Sequence, residues 1–162
     1  MAVFNRQGFG VELVPVSKDE DSNIIVQLSN GAATYTYKNP DYGEIPASTN
    51  FDAAAVHGKT IPFIDPDKNI VLKAAIFLPS KLEKVTADVK EMVVVHEFIH
   101  AAGLDNKDHD TDSGVFYSPM EKFGGKLREW GKGENVKLMP PIRVGPQTLC
   151  AVRLLWVKNS KC

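Results

Sequence analysis

Two histidines and a glutamate carry the clearest chemistry in this chain. His96, Glu97 and His100 stand in the run Val-Val-Val-His-Glu-Phe-Ile-His-Ala-Ala-Gly-Leu, residues 93–104. Residues four apart share one face of a helix, so the two imidazoles can reach a single metal ion. Glu97 sits beside that face and can take a proton from a metal-activated water without being a ligand itself. The chain has four histidines in 162 residues, and at that composition the His-Glu-x-x-His spacing arises by chance in roughly one chain in two hundred. The competing reading is a helix with ordinary core or surface histidines. It must explain two titratable rings and a carboxylate on an otherwise apolar segment, where burial without a function is costly.

A catalytic zinc ion usually has three protein ligands and one water. Two histidines are not enough. The motif His96-Glu97-x-x-His100-x-x-Gly103 resembles that of the metzincin zinc metallopeptidases, and the resemblance covers about residues 85–120. It extends loosely to small metzincin-type proteins of phages and bacteria. The resemblance implies zinc as cofactor, Glu97 as general base, and a sharp turn at the glycine that returns a third ligand to the metal. In the family that ligand is normally a histidine three residues after the glycine. Here the position holds Asn106, a departure from the pattern.

Three candidates for the third ligand follow: Asp105, His109 and Asp110. A neutral imidazole is the better zinc donor, and a short insertion around residues 105–107 accounts for the offset of His109. The expected metal ligands are therefore His96, His100 and His109, with an aspartate as the fallback. Asn106 is expected to hold the turn through its side chain. The family also places a methionine beneath the metal, and Met120 or Phe116 is the candidate for that apolar floor. Tyr117 is read as a packing residue, as is usual for a tyrosine in an apolar stretch.

The implied fold is α+β: a twisted mixed sheet with the active-site helix beneath it and a C-terminal helix. An edge strand would align an extended peptide by β-augmentation, and Ile70 to Leu78 is the expected strand. The implied function is a zinc-dependent endopeptidase acting on a protein or peptide substrate. Two alternatives stand beside it. One is a zinc-binding structural or virion-associated protein without peptidase activity; the other is a zinc amidase acting on cell-wall peptides. Glu97 weighs against the first, since a structural zinc is closed by four protein ligands and needs no base.

The elements that must position these residues are partly readable. Val85, Val89, Met92, Val93, His96, Ile99 and Gly103 form a stripe at helical spacing, and Val94, Val95, Phe98, Ala101 and Ala102 make the second half apolar all round. Such a helix is buried. Its start falls between residues 80 and 86, where Ser80 with Glu83 has capping-box spacing. Gly103 suits its end. Ile70 to Leu78 reads as one β-branched strand at the centre of a sheet or lining a cleft, ended by Pro79.

Upstream, Val11, Leu13 and Pro15 alternate with Glu12 and Val14 as a strand would. Asn30-Gly31 between Ile24–Leu28 and Ala33–Tyr37 predicts a hairpin over residues 23–38. Residues 39–66 are dense in Pro, Gly, Asn and Asp, with Phe51 to Val56 as a short helix candidate. Gly145-Pro146 opens a last helix carrying Leu149, Val152, Leu155 and Trp156. His57 reads as a surface histidine, and Trp130 and Trp156 as core or rim residues.

Composition sets the outer limits. The apolar share is 43% and the charged share 24%, ordinary for one globular domain spanning residues 1–162. A net charge of −1 offers no field toward nucleic acid or anionic lipid. The scatter of Lys122, Lys126, Arg128 and Lys132 is interrupted by acids and reads as a solvated face. The first residues lack a basic start and apolar run, so the expectation is a monomer that is neither exported by a signal peptide nor membrane-bound, hence cytoplasmic or virion-associated. Cys150 and Cys162 have no metal-binding spacing; they could pair, but a buried Cys150 and a free terminal Cys162 are expected.

Overall fold

Ten residues, Ile70–Pro79, form the strand around which the sheet is built, and from Ala74 onward every one of them is buried. A strand buried on both faces is apolar throughout instead of alternating. In chain order the strands are β1 (Ile24–Ser29), β2 (Ala32–Asn39), β3 (Gly43–Asn50), β4 (Lys59–Asp65) and β5 (Ile70–Pro79). The helices are α1 (Ala2–Asn5), a 3₁₀ turn at Asp19–Asp21, α2 (Ala87–Ala101) and α3 (Pro146–Trp156). The computed structural model describes residues 1–51, 58–80, 87–105 and 144–161.

The architecture is α+β with a mixed three-stranded sheet in the order β1-β5-β4 and a separate β2-β3 hairpin. β5 runs parallel to β1 and antiparallel to β4. It is thus the centre of the sheet, as one reading of its sequence expected. The same finding corrects its assignment as the peptide-aligning edge strand. β1 and β4 hold the edges.

Strand alternation sorts the core into two layers. Ala74, Ile76 and Leu78 join Met92, Val95, Phe98 and Ile99 of α2 on one face of the sheet. Ala75 and Phe77 meet Ala33, Tyr37 and Ala47 of the hairpin on the other. Burying a side chain such as Ile76 or Phe77 contributes about 1.5–3 kcal/mol each. Within the second layer Tyr37 ties the hairpin to β4: its hydroxyl donates to the Ile61 carbonyl at 3.2 Å. Burial, together with nearby Tyr35, pushes its pKa well up, so it stays a neutral donor.

The expected hairpin over residues 23–38 is not formed. The chain does turn at Gly31, with φ +122°, but β1 pairs with β5 and β2 pairs with β3. The apolar run of β1 finds a better partner in the buried central strand than in its sequence neighbour. The real hairpin turn lies at residues 39–43, where the Asn39 side chain accepts from the backbone N–H groups of Asp41 and Tyr42 at 2.8 and 3.1 Å.

Strands β3 and β4 both fall in the region the sequence left unread. Pro46 and Pro62 sit within them, opposite Thr36 and Ala74. Proline is tolerated there because each strand has one unpaired edge among the described residues. Of the short helix expected over 51–56, only Phe51 is described, and it extends the hairpin by donating its N–H to the Gly31 carbonyl.

The N-terminal arm is not a strand at Val11–Pro15 either. The Asn5 side chain pairs with Leu13 as a strand would, accepting from its N–H at 2.8 Å and donating to its carbonyl at 3.0 Å. Phe4 stacks on Phe9 at 4.4 Å and lies 6.0 Å from Phe98 of α2. Helix α3 begins with Pro146 in its first turn, after Gly145, as expected. It is pinned to this arm by Arg153, whose Nε donates to the Gly8 carbonyl at 2.8 Å. Cys150 is disulfide-bonded, which corrects the expectation of a simple buried thiol. Among the described residues no helix is long and apolar enough to cross a membrane.

Candidate metal centre and its supporting strand

Helix α2 is buried along most of its second half, with Val95, Phe98, Ile99, Ala101 and Ala102 in the core. It ends as the glycine predicts. Gly103 has φ +104°, the Leu104 N–H reaches the Ile99 carbonyl at 3.4 Å, and the Gly103 N–H reaches the His100 carbonyl at 2.9 Å. That pair of bonds is a Schellman cap, with Leu104 and Ile99 buried in the same core cluster. Trp156 of α3 adds a third tie by donating its indole N–H to the Ala102 carbonyl at 2.7 Å. The ring is otherwise a rim residue, half exposed.

The cap has a consequence for His100. Its Nδ1 lies 2.7 Å from the Leu104 carbonyl oxygen. A carbonyl only accepts, so Nδ1 carries the proton and Nε2 of the neutral ring presents its lone pair. Nε2 of His96 lies 2.8 Å from Nε2 of His100, so in this arrangement His96 Nε2–H donates to the His100 lone pair, and His96 would give up that proton to ligate a metal. The rings are tilted at 64° with centroids 4.6 Å apart. Both are half-buried, on a face between core and solvent.

This donor pair fits a borderline-soft divalent cation. Two imidazole nitrogens sharing one tetrahedral zinc at about 2.0–2.1 Å sit roughly 3.3 Å apart, so the rings would part by about half an ångström from their 2.8 Å separation to admit the ion. The backbone carbonyl on Nδ1 is the kind of outer partner that fixes ligand tautomer and ring orientation. His96 and His100 are the residues that would hold the ion.

Glu97 is buried, at 5% exposure, and it is held from a direction the sequence did not disclose. Thr60 of β4 places its Oγ1 2.6 Å from Glu97 Oε2 and 3.0 Å from the Glu97 main-chain oxygen. The hydroxyl has one proton, and the short contact to the carboxylate is the stronger, charge-assisted one. Gly58, two residues earlier, passes so close that a Cβ there would lie 2.5 Å from Glu97 Cγ and 2.8 Å from Oε1. Neither residue carries a local signal for this role, since Thr60 is 37 positions from Glu97.

The remaining expected site residues divide simply. Asp105 is exposed just past the cap. Among the described residues no three His, Cys, Asp or Glu side chains gather as a metal-holding group, so Asp105 does not complete one with His96 and His100. His57, Asn106, His109, Asp110, Phe116, Tyr117, Met120 and Trp130 lie outside the described residues, as do the lysines and arginine of 122–132. No protein-family model, curated protein or solved structure matches the chain.

Proposed function

We propose that this protein is a zinc-dependent endopeptidase of the metzincin kind. The observation that carries the reading is the convergence of His96 Nε2 and His100 Nε2 at 2.8 Å, with the buried carboxylate of Glu97 one residue along the same helix. His109 is the proposed third ligand. Bound zinc would acidify a water molecule and polarise the scissile carbonyl.

The protein's own groups supply the rest. Glu97 takes the proton from the attacking water and delivers it to the departing amine, so one carboxylate serves as base and then as acid. His100 is held in its donor tautomer by the Leu104 carbonyl. β4 takes over the role first expected of β5: it is an edge strand, its unpaired backbone is open among the described residues, and it touches Glu97 through Thr60. An extended peptide pairing with that edge would lie beside the carboxylate.

The test uses zinc content and hydrolysis together, against a mixed peptide library and cell-wall peptide fragments. Glu97→Ala is expected to retain zinc and lose hydrolysis, whereas His100→Ala loses both. A Glu97→Ala protein that hydrolyses peptides normally would end the proposal, and cleavage confined to cell-wall fragments would reassign it to an amidase.

A further inference from the structure

The geometry points to Thr60 as a positioning residue for Glu97, with Gly58 as the clearance that lets the carboxylate lie where Thr60 can hold it. The inference rests on the proposed role of Glu97 as base and adds the device that aims it.

The placement follows from strand register. Thr60 pairs with Ile76 of β5, and Ile76 points into the core shared with α2. Thr60 is therefore on the helix side of the sheet, while Ile61 and Phe63 face the hairpin. From there its hydroxyl reaches Oε2 of Glu97 at 2.6 Å. A glutamate side chain has three rotatable bonds, and at rest on a helix it samples several staggered states. One short bond to Oε2 selects among them. The alternative partner for the hydroxyl, the Glu97 main-chain oxygen at 3.0 Å, belongs to the same residue, so Thr60 is tied to Glu97 in either arrangement.

Gly58 makes the second half of the device. Its missing side chain is what admits Cγ, Cδ and Oε1 of Glu97 at contacts of 2.5 to 2.8 Å from an ideal Cβ position. Any larger residue would displace the carboxylate from Thr60. The two positions frame Lys59 in β4, so a single strand segment both makes room for the carboxylate and fixes it. A hydroxyl donor, in place of an ammonium or guanidinium, orients a base without adding a full opposing charge.

Thr60→Val keeps shape and strand propensity while removing the donor. In the zinc-loaded protein it is expected to lower kcat about tenfold or more, the equivalent of one hydrogen bond to a charged group, with KM and zinc content unchanged. Thr60→Ser is expected to restore kcat to within about threefold of the original. A Thr60→Val enzyme with the original kcat overturns the inference. A second readout needs no activity: a double-mutant cycle of Thr60→Val and Glu97→Ala in metal-free protein, followed by urea unfolding. Coupling of about fivefold or more in the folding equilibrium constant is expected, and additive effects overturn the inference. Gly58→Ala should destabilise the original protein but not the Glu97→Ala background, where the obstructed carboxylate is gone; equal destabilisation in both overturns the role of Gly58. If the original protein cleaves no peptide, the endopeptidase reading fails alone, and the cycle still decides whether Thr60 holds Glu97.

Discussion

The Nδ1 of His100 and the main-chain oxygen of Leu104 lie 2.7 Å apart, which makes the end of one helix responsible for the chemistry of a ring inside it. Gly103 permits the turn, the turn sets the carbonyl, and the carbonyl sets the tautomer. The nitrogen that would face a metal is thereby determined by backbone conformation four residues away.

Gly103→Ala tests that chain of cause. At φ +104° alanine is strained and should destabilise the fold by roughly 1 kcal/mol or more. The space itself is adequate, with Leu155 and Val71 side-chain atoms at 3.5 Å from the added Cβ. Zinc affinity is expected to fall by about 10- to 100-fold, the usual contribution of a ligand's hydrogen-bond partner. Calorimetric zinc titration alongside urea unfolding separates the two effects.

The choice of third ligand has a direct test. His109→Ala is expected to weaken zinc binding beyond the roughly 100-fold typical of an outer partner, while Asp105→Ala and Asp110→Ala leave it near the original value. Chelation should abolish hydrolysis, and added zinc should restore it. Loss of zinc from Asp110→Ala with binding intact in His109→Ala would move the assignment to the aspartate.

Asp65, at the turn between β4 and β5, is expected to contribute to acid stability. Burial pushes its carboxyl pKa up, but the N–H groups of Lys68 and Asp67 and the Lys68 ammonium outweigh this and hold it below the ordinary value. The bonds are 3.1 and 2.9 Å from the two amides, and the ion pair is 3.4 Å. With a lower pKa in the folded state, the unfolded chain binds more protons in the window between the two values. The stabilisation is present above the ordinary carboxylate value of about 3.9 and is lost as pH falls through the folded one. Asp65→Asn should flatten that part of a stability profile measured by denaturant over roughly pH 2 to 6.

Cysteine chemistry gives a fourth expectation. Cys150 is disulfide-bonded, and Cys162 is the only other cysteine in the sequence. A thiol reagent should find no reactive cysteine in the native protein and two per chain after denaturation and reduction. A monomeric band without reductant would identify the bond as internal; such a bond closes a short loop and is expected to stabilise by about 3 kcal/mol.

The parts of the fold that could be read in the sequence were those dictated by local chemistry. Helix α2 announced itself through apolar residues at helical spacing and a glycine stop, α3 through Gly145-Pro146, and β5 through a β-branched run ended by Pro79. What failed depends on distant partners. β1 is attached to β5 across some 50 positions, and nothing in Asn30-Gly31 distinguishes a turn within a hairpin from one between sheets. β3 and β4 were hidden by Pro46 and Pro62, whose tolerance follows from edge position, a property of the assembled sheet. Within the site, His96, Glu97 and His100 were evident because a helix brings them together unaided. Thr60 and Gly58 were not, because their importance exists only once β4 lies against α2; the Leu104 carbonyl was not, because a backbone atom leaves no mark in the residue type that carries it.

That difference carries over into time. Helix α2 can begin to form from its own residues, but Thr60 meets Glu97 only after β4 has docked on β5, and β5 in turn must pair in parallel with a strand from far upstream. Such non-local pairings close large loops and form slowly. The two histidines need only the helix to share a face, whereas the carboxylate is aimed only by the assembled sheet. Any reaction that relies on the oriented carboxylate would be the last property to emerge, after the surrounding chain has already been withdrawn into structure.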